Sequence, residues 1–449
     1  MTARMSNAAR AITSSGPRPG GAGLGRNFAA MLLWQIGMYA IPLATFPYLT
    51  RVLGPAQFGV VGYVTALTVY GTILTEWGFN LSGPRAVAQC RGDPRRLSEL
   101  VWSIVGAKAC LCVASGAILA VVLMADRTLA AMSTAIWIGW LGVIANVWTL
   151  NWLLQGLERF SSFTAVALAS RFAALPLTFW LVRSPADVDM AIAIQSLTSV
   201  LAAGGSMLMA RRLGLLGHRH FSWRAIRAQL ADGADMFVST ASVSLFSAAN
   251  TVIVGALGGP YQVGLYAAAD KLKTAGNMVP AQINTVLYPR IAALFAQRQP
   301  EGARAAARLT ISGGIAIVFV TSIGIAICLS CSDVLTRLVL GDKFAGASSI
   351  VNVLCLSTLF GNLAYFLGLQ VLVPFGGARR RARVMLAAGV LNIVLAVLLV
   401  PRWGAAGAAA AYLVAELALL AVFALWIARS ATLREHFARS TRTKARHDI

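Results

Sequence analysis

Residues 311–329 read ISGGIAIVFVTSIGIAICL, a run without a single charged side chain and apolar all the way round a helix. Hydrocarbon about 30 Å thick is crossed by about 20 such residues as a helix. A strand of a membrane barrel would alternate polar and apolar residues instead, so a helix is the spanning form here. Comparable runs recur from Phe28 to Ala428 and place spans at 28–50, 59–80, 100–124, 130–154, 162–182, 189–210, 234–256, 263–288, 308–330, 347–372, 383–400 and 404–428. The expected architecture is an all-α polytopic membrane protein of about twelve transmembrane helices.

Composition agrees. Of 449 residues, 58% are hydrophobic and 12% charged, with mean hydropathy +0.71. Soluble domains carry about 25% charged residues, which excludes a soluble enzyme. The net charge of +22 does not indicate nucleic acid. The basic residues fall in short segments between apolar runs and form no continuous face interleaved with aromatics.

With the N-terminus in the cytoplasm, cytoplasmic segments hold 28 of the 38 Lys and Arg residues, outer loops six, and the spans Lys108, Arg171, Lys271 and Lys273. This asymmetry puts both termini in the cytoplasm. Residues 1–27, basic and rich in Gly, Pro and Ser, lack the apolar core of a signal peptide and are expected to be a flexible tail. The basic stretch 429–449 is expected to lie near anionic lipid headgroups of the membrane.

Several chemistries are missing from the pattern. None of the five lysines follows a glycine, so there is no phosphate loop of the ATPase kind. Asp187 and Asp189 form a D-x-D pair of the type that holds a divalent metal in glycosyltransferases, yet the short loop around them leaves no space for a nucleotide-sugar domain. Cys328 and Cys331 have C-x-x-C spacing without a second ligand pair, and all six cysteines read as small apolar packing residues. No metal or cofactor is expected.

Pro55, Gln57, Gly59, Pro84, Arg85 and Ala88 recur 205 positions later as Pro260, Gln262, Gly264, Pro289, Arg290 and Ala293. A single offset implies an internal repeat. The chain divides into a bundle at 28–210, a basic cytoplasmic linker at 211–233 and a bundle of the same orientation at 234–428. Parallel repeats of this sort are a transporter plan, in which the halves rock to alternate access.

Ionisable residues at membrane depth cost at least about 2.5 to 3.5 kcal/mol and mark functional sites. Lys273, Arg171, Lys271 and Lys108 are candidate contacts for an anionic cargo. Lys271 points about 160° away from Lys273 on an ideal helix, whereas Asp270 shares the face of Lys273 and can pair with it. Asp270, Glu76, Glu416 and Asp235 are candidates for proton coupling, with Asp235 placed at a helix N-terminus where the helix dipole favours an anion. The histidines all map to cytoplasmic segments. A cationic excess suits an anionic solute, while an exporter of lipophilic cations would show an acidic one.

The stretch Pro47-Tyr48-Leu49-Thr50-Arg51-Val52-Leu53-Gly54-Pro55-Ala56-Gln57-Phe58-Gly59 resembles the start of bacterial polysaccharide-repeat flippases, the O-antigen (Wzx-type) transporters of the MOP exporter superfamily. Further matches are Glu76-Trp77-Gly78-Phe79-Asn80, Trp152-Leu153-Leu154-Gln155-Gly156, Ala231-Asp232-Gly233, Tyr288-Pro289-Arg290-Ile291 and Gly404-Ala405-Ala406-Gly407-Ala408-Ala409. The resemblance implies two MATE-like six-helix bundles, with Asn80 and Arg290 as further cargo contacts. It also implies undecaprenyl-diphosphate-linked oligosaccharide as cargo, membrane lipids as surroundings, a polysaccharide polymerase and chain-length regulator as partners, and the bacterial inner membrane as location. A multidrug-type exporter of the same superfamily, a membrane glycosyltransferase and a non-transporting assembly scaffold are the alternatives.

Overall fold

The computed structural model describes the backbone of residues 21–90, 92–217, 222–296 and 300–430, and their side chains apart from those of 21–36, 38–40, 160, 163, 235, 238–247, 296, 300, 301 and 303. Helices account for nearly all of it. In chain order they are α1 (Gly21–Glu76), α2 (Phe79–Gln89), α3 (Pro94–Ala125), α4 (Arg127–Ala131), α5 (Ser133–Val147), α6 (Asn151–Gly156), α7 (Phe160–Leu181), α8 (Val188–Arg212), α9 (Trp223–Gly276), α10 (Met278–Ala296), α11 (Pro300–Leu340), α12 (Ala347–Phe366) and α13 (Ala378–Arg429). Short 3₁₀ turns occupy Pro185–Asp187 and Asp342–Phe344, and a π-helical turn, Leu367–Leu372, extends α12.

Nine helices of the described residues are long and apolar enough to cross a membrane. Three of these helices break at glycines that take a positive φ: α1 at Gly54 (φ 70°, ψ 174°), α9 at Gly259 (φ 78°, ψ 174°) and α13 at Gly404 (φ 56°, ψ −134°). The 52 residues of α13 would make a straight rod of about 78 Å. That is more than twice the hydrocarbon thickness, so the break divides it into two crossings. Gly54 and Gly259 are also 205 positions apart and adopt nearly the same backbone angles, which adds a conformational match to the six identities of the repeat.

The chain separates into two compact units, 1–244 and 245–449. In the first, α5 packs against α8 and α1, α7 against α8 and α1, and α2 against α6. Small residues permit the close approach that replaces a hydrophobic driving force inside lipid. A Cβ on Gly139 would lie 2.4 Å from Val64, and one on Gly71 would lie 2.4 Å from the Trp140 ring. In the second unit α12 packs against both α11 and α13, and α10 against α11. The lipid-facing surface is visible on α11, where Ile315, Phe319 and Ile327 are each more than 60% exposed along one row of the helix.

Two expected boundaries shift. Helix α1 already begins at Gly21, inside the stretch expected to be a flexible tail. Helix α9 begins at Trp223, so residues expected in the linker continue the same backbone hydrogen bonding and only about ten residues separate α8 from α9. Asp235 consequently lies inside a helix, three turns from its N-terminus, and the dipole argument for it fails.

Gly404 is the most constrained break. Its ψ lies outside the ordinary regions for L residues, and a Cβ there would sit 2.5 Å from the Gln262 side-chain oxygen, which accepts the Ala405 N–H at 3.0 Å. Gly404→Ala is expected to destabilise by about 2 to 3 kcal/mol, and Gly259→Ala, where no atom stands within 4 Å, by about 1 kcal/mol. Thermal unfolding of the detergent-solubilised protein checks the order of the two.

Candidate functional site

Each unit carries a polar network inside its apolar helices. In the first unit the Lys108 ammonium, on α3 and only 2% exposed, donates to both the backbone oxygen and the side-chain oxygen of Asn146 on α5, each at 2.9 Å. The Asn146 amide then donates to Glu76, the last residue of α1, at 3.3 Å. A buried ammonium in a membrane must be fully solvated by the protein or reach the surface. Lys108 stays buried, with two of its three N–H donors met by Asn146.

The second unit repeats this arrangement with neutral residues. The Asn362 amide on α12 donates to Asn277, which directly follows α9, at 3.1 Å, and to Thr321 on α11 at 3.4 Å. In both units an asparagine ties together the end of the broken helix and the next long helix. The charges have been kept in one copy only.

A second cluster lies deeper in this unit. Lys273 pairs with Asp270 at 2.6 Å, as their shared helix face predicts. Its ammonium also lies 4.2 Å from the ring centroid of Tyr412, a cation over a π face. The Tyr412 hydroxyl hydrogen-bonds Glu416, one turn further along α13, where Glu416 is 5% exposed. Gly361 on α12 leaves space for that carboxylate: a Cβ there would stand 3.0 Å from its carbon. Next to this cluster Asn250 donates to Tyr266 at 3.0 Å and exchanges hydrogen bonds with Asn392.

Of the residues singled out from sequence, the structure therefore brings Asp270, Lys273 and Glu416 into one neighbourhood, and Glu76 and Lys108 into another. Lys271 is exposed on the opposite face of its helix, Asn80 is exposed at the start of α2, and Arg290 is exposed within α10. Arg171, half-buried in the middle of α7, makes no hydrogen bond or ion pair with any described residue. The Asp235 side chain lies outside the described residues. Asn146, Asn362 and Tyr412 escaped the sequence reading because it followed formal charge. Asparagines inside apolar runs carry a smaller but real desolvation penalty and were the available signal.

The D-x-D pair does not form a metal site. Asp187 turns back to accept from the backbone of Arg183 and Ser184 and from the Ser184 hydroxyl, at 2.8 to 3.0 Å, closing a capping box. Cys328 has its sulfur 2.9 Å from Cys355, on the neighbouring helix, and not near its C-x-x-C partner Cys331, which is exposed. Among the described residues no three His, Cys, Asp or Glu side chains are grouped to hold a metal.

Residues 24–295 match the family described as polysaccharide biosynthesis protein. The chain is 26% identical over 408 residues to the Escherichia coli (strain K12) protein named "Putative O-antigen transporter", covering 90% of this chain and 96% of that protein. A Shigella dysenteriae protein of the same name is 24% identical, covering 89% and 98%. Among solved structures, the lipid II flippase MurJ in an inward closed conformation superposes with TM-score 0.64 at 12% identity, covering 91% of this chain and 90% of that one. An inward-facing multidrug resistance MATE transporter of the MOP superfamily does so with TM-score 0.62 at 15% identity, covering 92% and 99%. The family match spans more than half of the sequence, so the chain belongs to the polysaccharide biosynthesis protein family, on the fold of the MOP-superfamily transporters.

Proposed function

We propose that this protein is a flippase that carries undecaprenyl-diphosphate-linked oligosaccharide repeat units from the cytoplasmic to the periplasmic leaflet of the bacterial inner membrane by alternating access. Surface polysaccharide assembly, whether O-antigen, capsule or exopolysaccharide, consumes the product, with a polymerase and chain-length regulator as partners. The observation that carries this reading is Arg171, a guanidinium at mid-span without a partner among the described residues. Such a charge is retained in a membrane where it meets a ligand, and a planar fork of donors suits a diphosphate. Family membership and the names of the relatives in Escherichia coli and Shigella dysenteriae support the cargo class.

The energetics favour the membrane potential over proton antiport through the Lys273 cluster. Protonating Asp270 would release Lys273 and strengthen its hold on phosphate, so proton and cargo would bind together and leave together. Such coupling would move protons outward against the usual gradient. An anion leaving an inside-negative cell gains about 2.3 kcal/mol per uncompensated charge per 100 mV. Lys273 in this scheme is a cation held in reserve by Asp270.

In proteoliposomes with the lipid-linked oligosaccharide of the native strain, Arg171→Ala should lower the translocation rate at least about tenfold and Arg171→Lys by less, in protein that inserts normally. An undiminished rate for Arg171→Ala would remove the cargo contact. Imposing a potassium diffusion potential should accelerate translocation, whereas a pH gradient at zero potential should leave it unchanged. The reverse pattern would restore a proton-coupled mechanism. A deletion strain should accumulate the lipid-linked sugar in its inner leaflet without altered drug sensitivity, which separates this reading from a multidrug exporter.

Lys108 belongs to the scaffold in this scheme. Asn146→Ala should cost about 2 kcal/mol of stability by leaving a buried ammonium short of partners. Much of that loss should vanish when Lys108→Met is added, and a double-mutant cycle on thermal unfolding measures the difference.

A further inference from the structure

The second unit holds another cation without a counter-charge, at the end of the bundle that the basic loops assign to the cytoplasm. Arg381 lies in the first turn of α13, and its guanidinium is 5.5 Å from the ring centroid of Tyr365, near the end of α12. Helix α10, which carries Tyr288, packs against the π-helical turn Leu367–Leu372 that follows Tyr365. The Arg381 Nε is buried and has no hydrogen-bond partner among the described residues. Neither tyrosine hydroxyl makes a hydrogen bond with a described residue, and no described carboxylate stands within 4.0 Å of the guanidinium.

Backbone irregularity creates this arrangement. The π-helical turn that ends α12 closes with the Val373 N–H on the Gly368 oxygen, five residues back. Gly368 is thereby brought against Arg381: a Cβ would lie 2.8 Å from the Arg381 Nε and 3.0 Å from the Phe423 ring. Gly376, with φ 77°, then redirects the chain into α13. Turns of this π type are costly and recur at functional sites. In the sequence Arg381 is one of a basic run with Arg379, Arg380 and Arg383. Arg380 stacks on Trp426 at 4.8 Å, while Arg379 and Arg383 are exposed.

A guanidinium and two phenolic hydroxyls from three separate elements can donate to an anion from different directions. A tetrahedral oxyanion offers acceptors to all of them, whereas a flat carboxylate is filled by the guanidinium fork alone. The basic neighbours set the depth at the headgroup layer. We propose that Arg381, Tyr365 and Tyr288 form a phosphate-headgroup site on the second unit, filled by a lipid of the inner leaflet. It depends on the flippase reading only for its sidedness and for one of its two occupants: the polyprenyl diphosphate of the cargo on arrival, or an anionic glycerophospholipid of the bilayer.

The test titrates the full-length protein in maltoside detergent with undecaprenyl diphosphate and, separately, with phosphatidylglycerol, reading occupancy by native mass spectrometry. Arg381→Ala should weaken binding of at least one lipid by about tenfold or more, Arg381→Lys by less, and the Tyr288→Phe, Tyr365→Phe pair by about threefold. Dependence on Arg381 for undecaprenyl diphosphate alone makes this a docking point for cargo, and dependence for phosphatidylglycerol alone makes it a seat for a resident lipid. The site is overturned if both Arg381 variants stay within about twofold of the parent for both lipids, or if the parent binds neither. Because Arg381→Lys keeps the charge and the tyrosine variants keep the packing, a folding defect in Arg381→Ala leaves the test decisive. Arg381-dependent lipid binding in a protein that fails the translocation assay would remove the flippase reading and leave this site standing.

Discussion

Hydrocarbon accepts no hydrogen bonds, and every polar group that this protein places inside a bilayer must therefore be satisfied by the protein or by what it carries. The interior follows from that constraint. Lys108 spends two donors on one asparagine. Lys273 is balanced by Asp270 and shielded by the Tyr412 ring. Among the described cations that are at least half-buried, the account does not close at Arg171 and Arg381, whose guanidiniums stay charged under all physiological conditions and match phosphate geometry.

The repeat shows the same principle acting on two copies of one design. Glu76, Asn146 and Lys108 in the first unit, and Asn277, Asn362 and Thr321 in the second, occupy corresponding junctions of helices. Both clamps are centred on an asparagine, whose amide supplies donor and acceptor at once. A charged clamp loses more when its partners separate than a neutral one does.

Glycine carries the complementary role. At Gly54, Gly259 and Gly404 a positive φ breaks a long helix and lets one continuous stretch cross the membrane twice. At Gly361 and Gly368 the missing Cβ makes space for a carboxylate and a guanidinium. The sequence marks the neighbourhood of the first kind as gaps between apolar runs, without singling out the glycines, and does not mark the second kind, because nothing local distinguishes a glycine that faces a charge from one that faces lipid.

By itself the sequence determined the helical class, the repeat and the pairing of Asp270 with Lys273, since all of these depend on hydropathy, composition or spacing. Which charges are satisfied was decided only by the tertiary structure. Asn146 meets Lys108 across 38 positions, Cys328 meets Cys355 in place of Cys331, and Arg381 meets Tyr365 beside a π turn that no residue pattern announces. Partners of that kind are chosen by how helices pack, and packing couples residues far apart in the chain through contacts that one-dimensional periodicity does not encode.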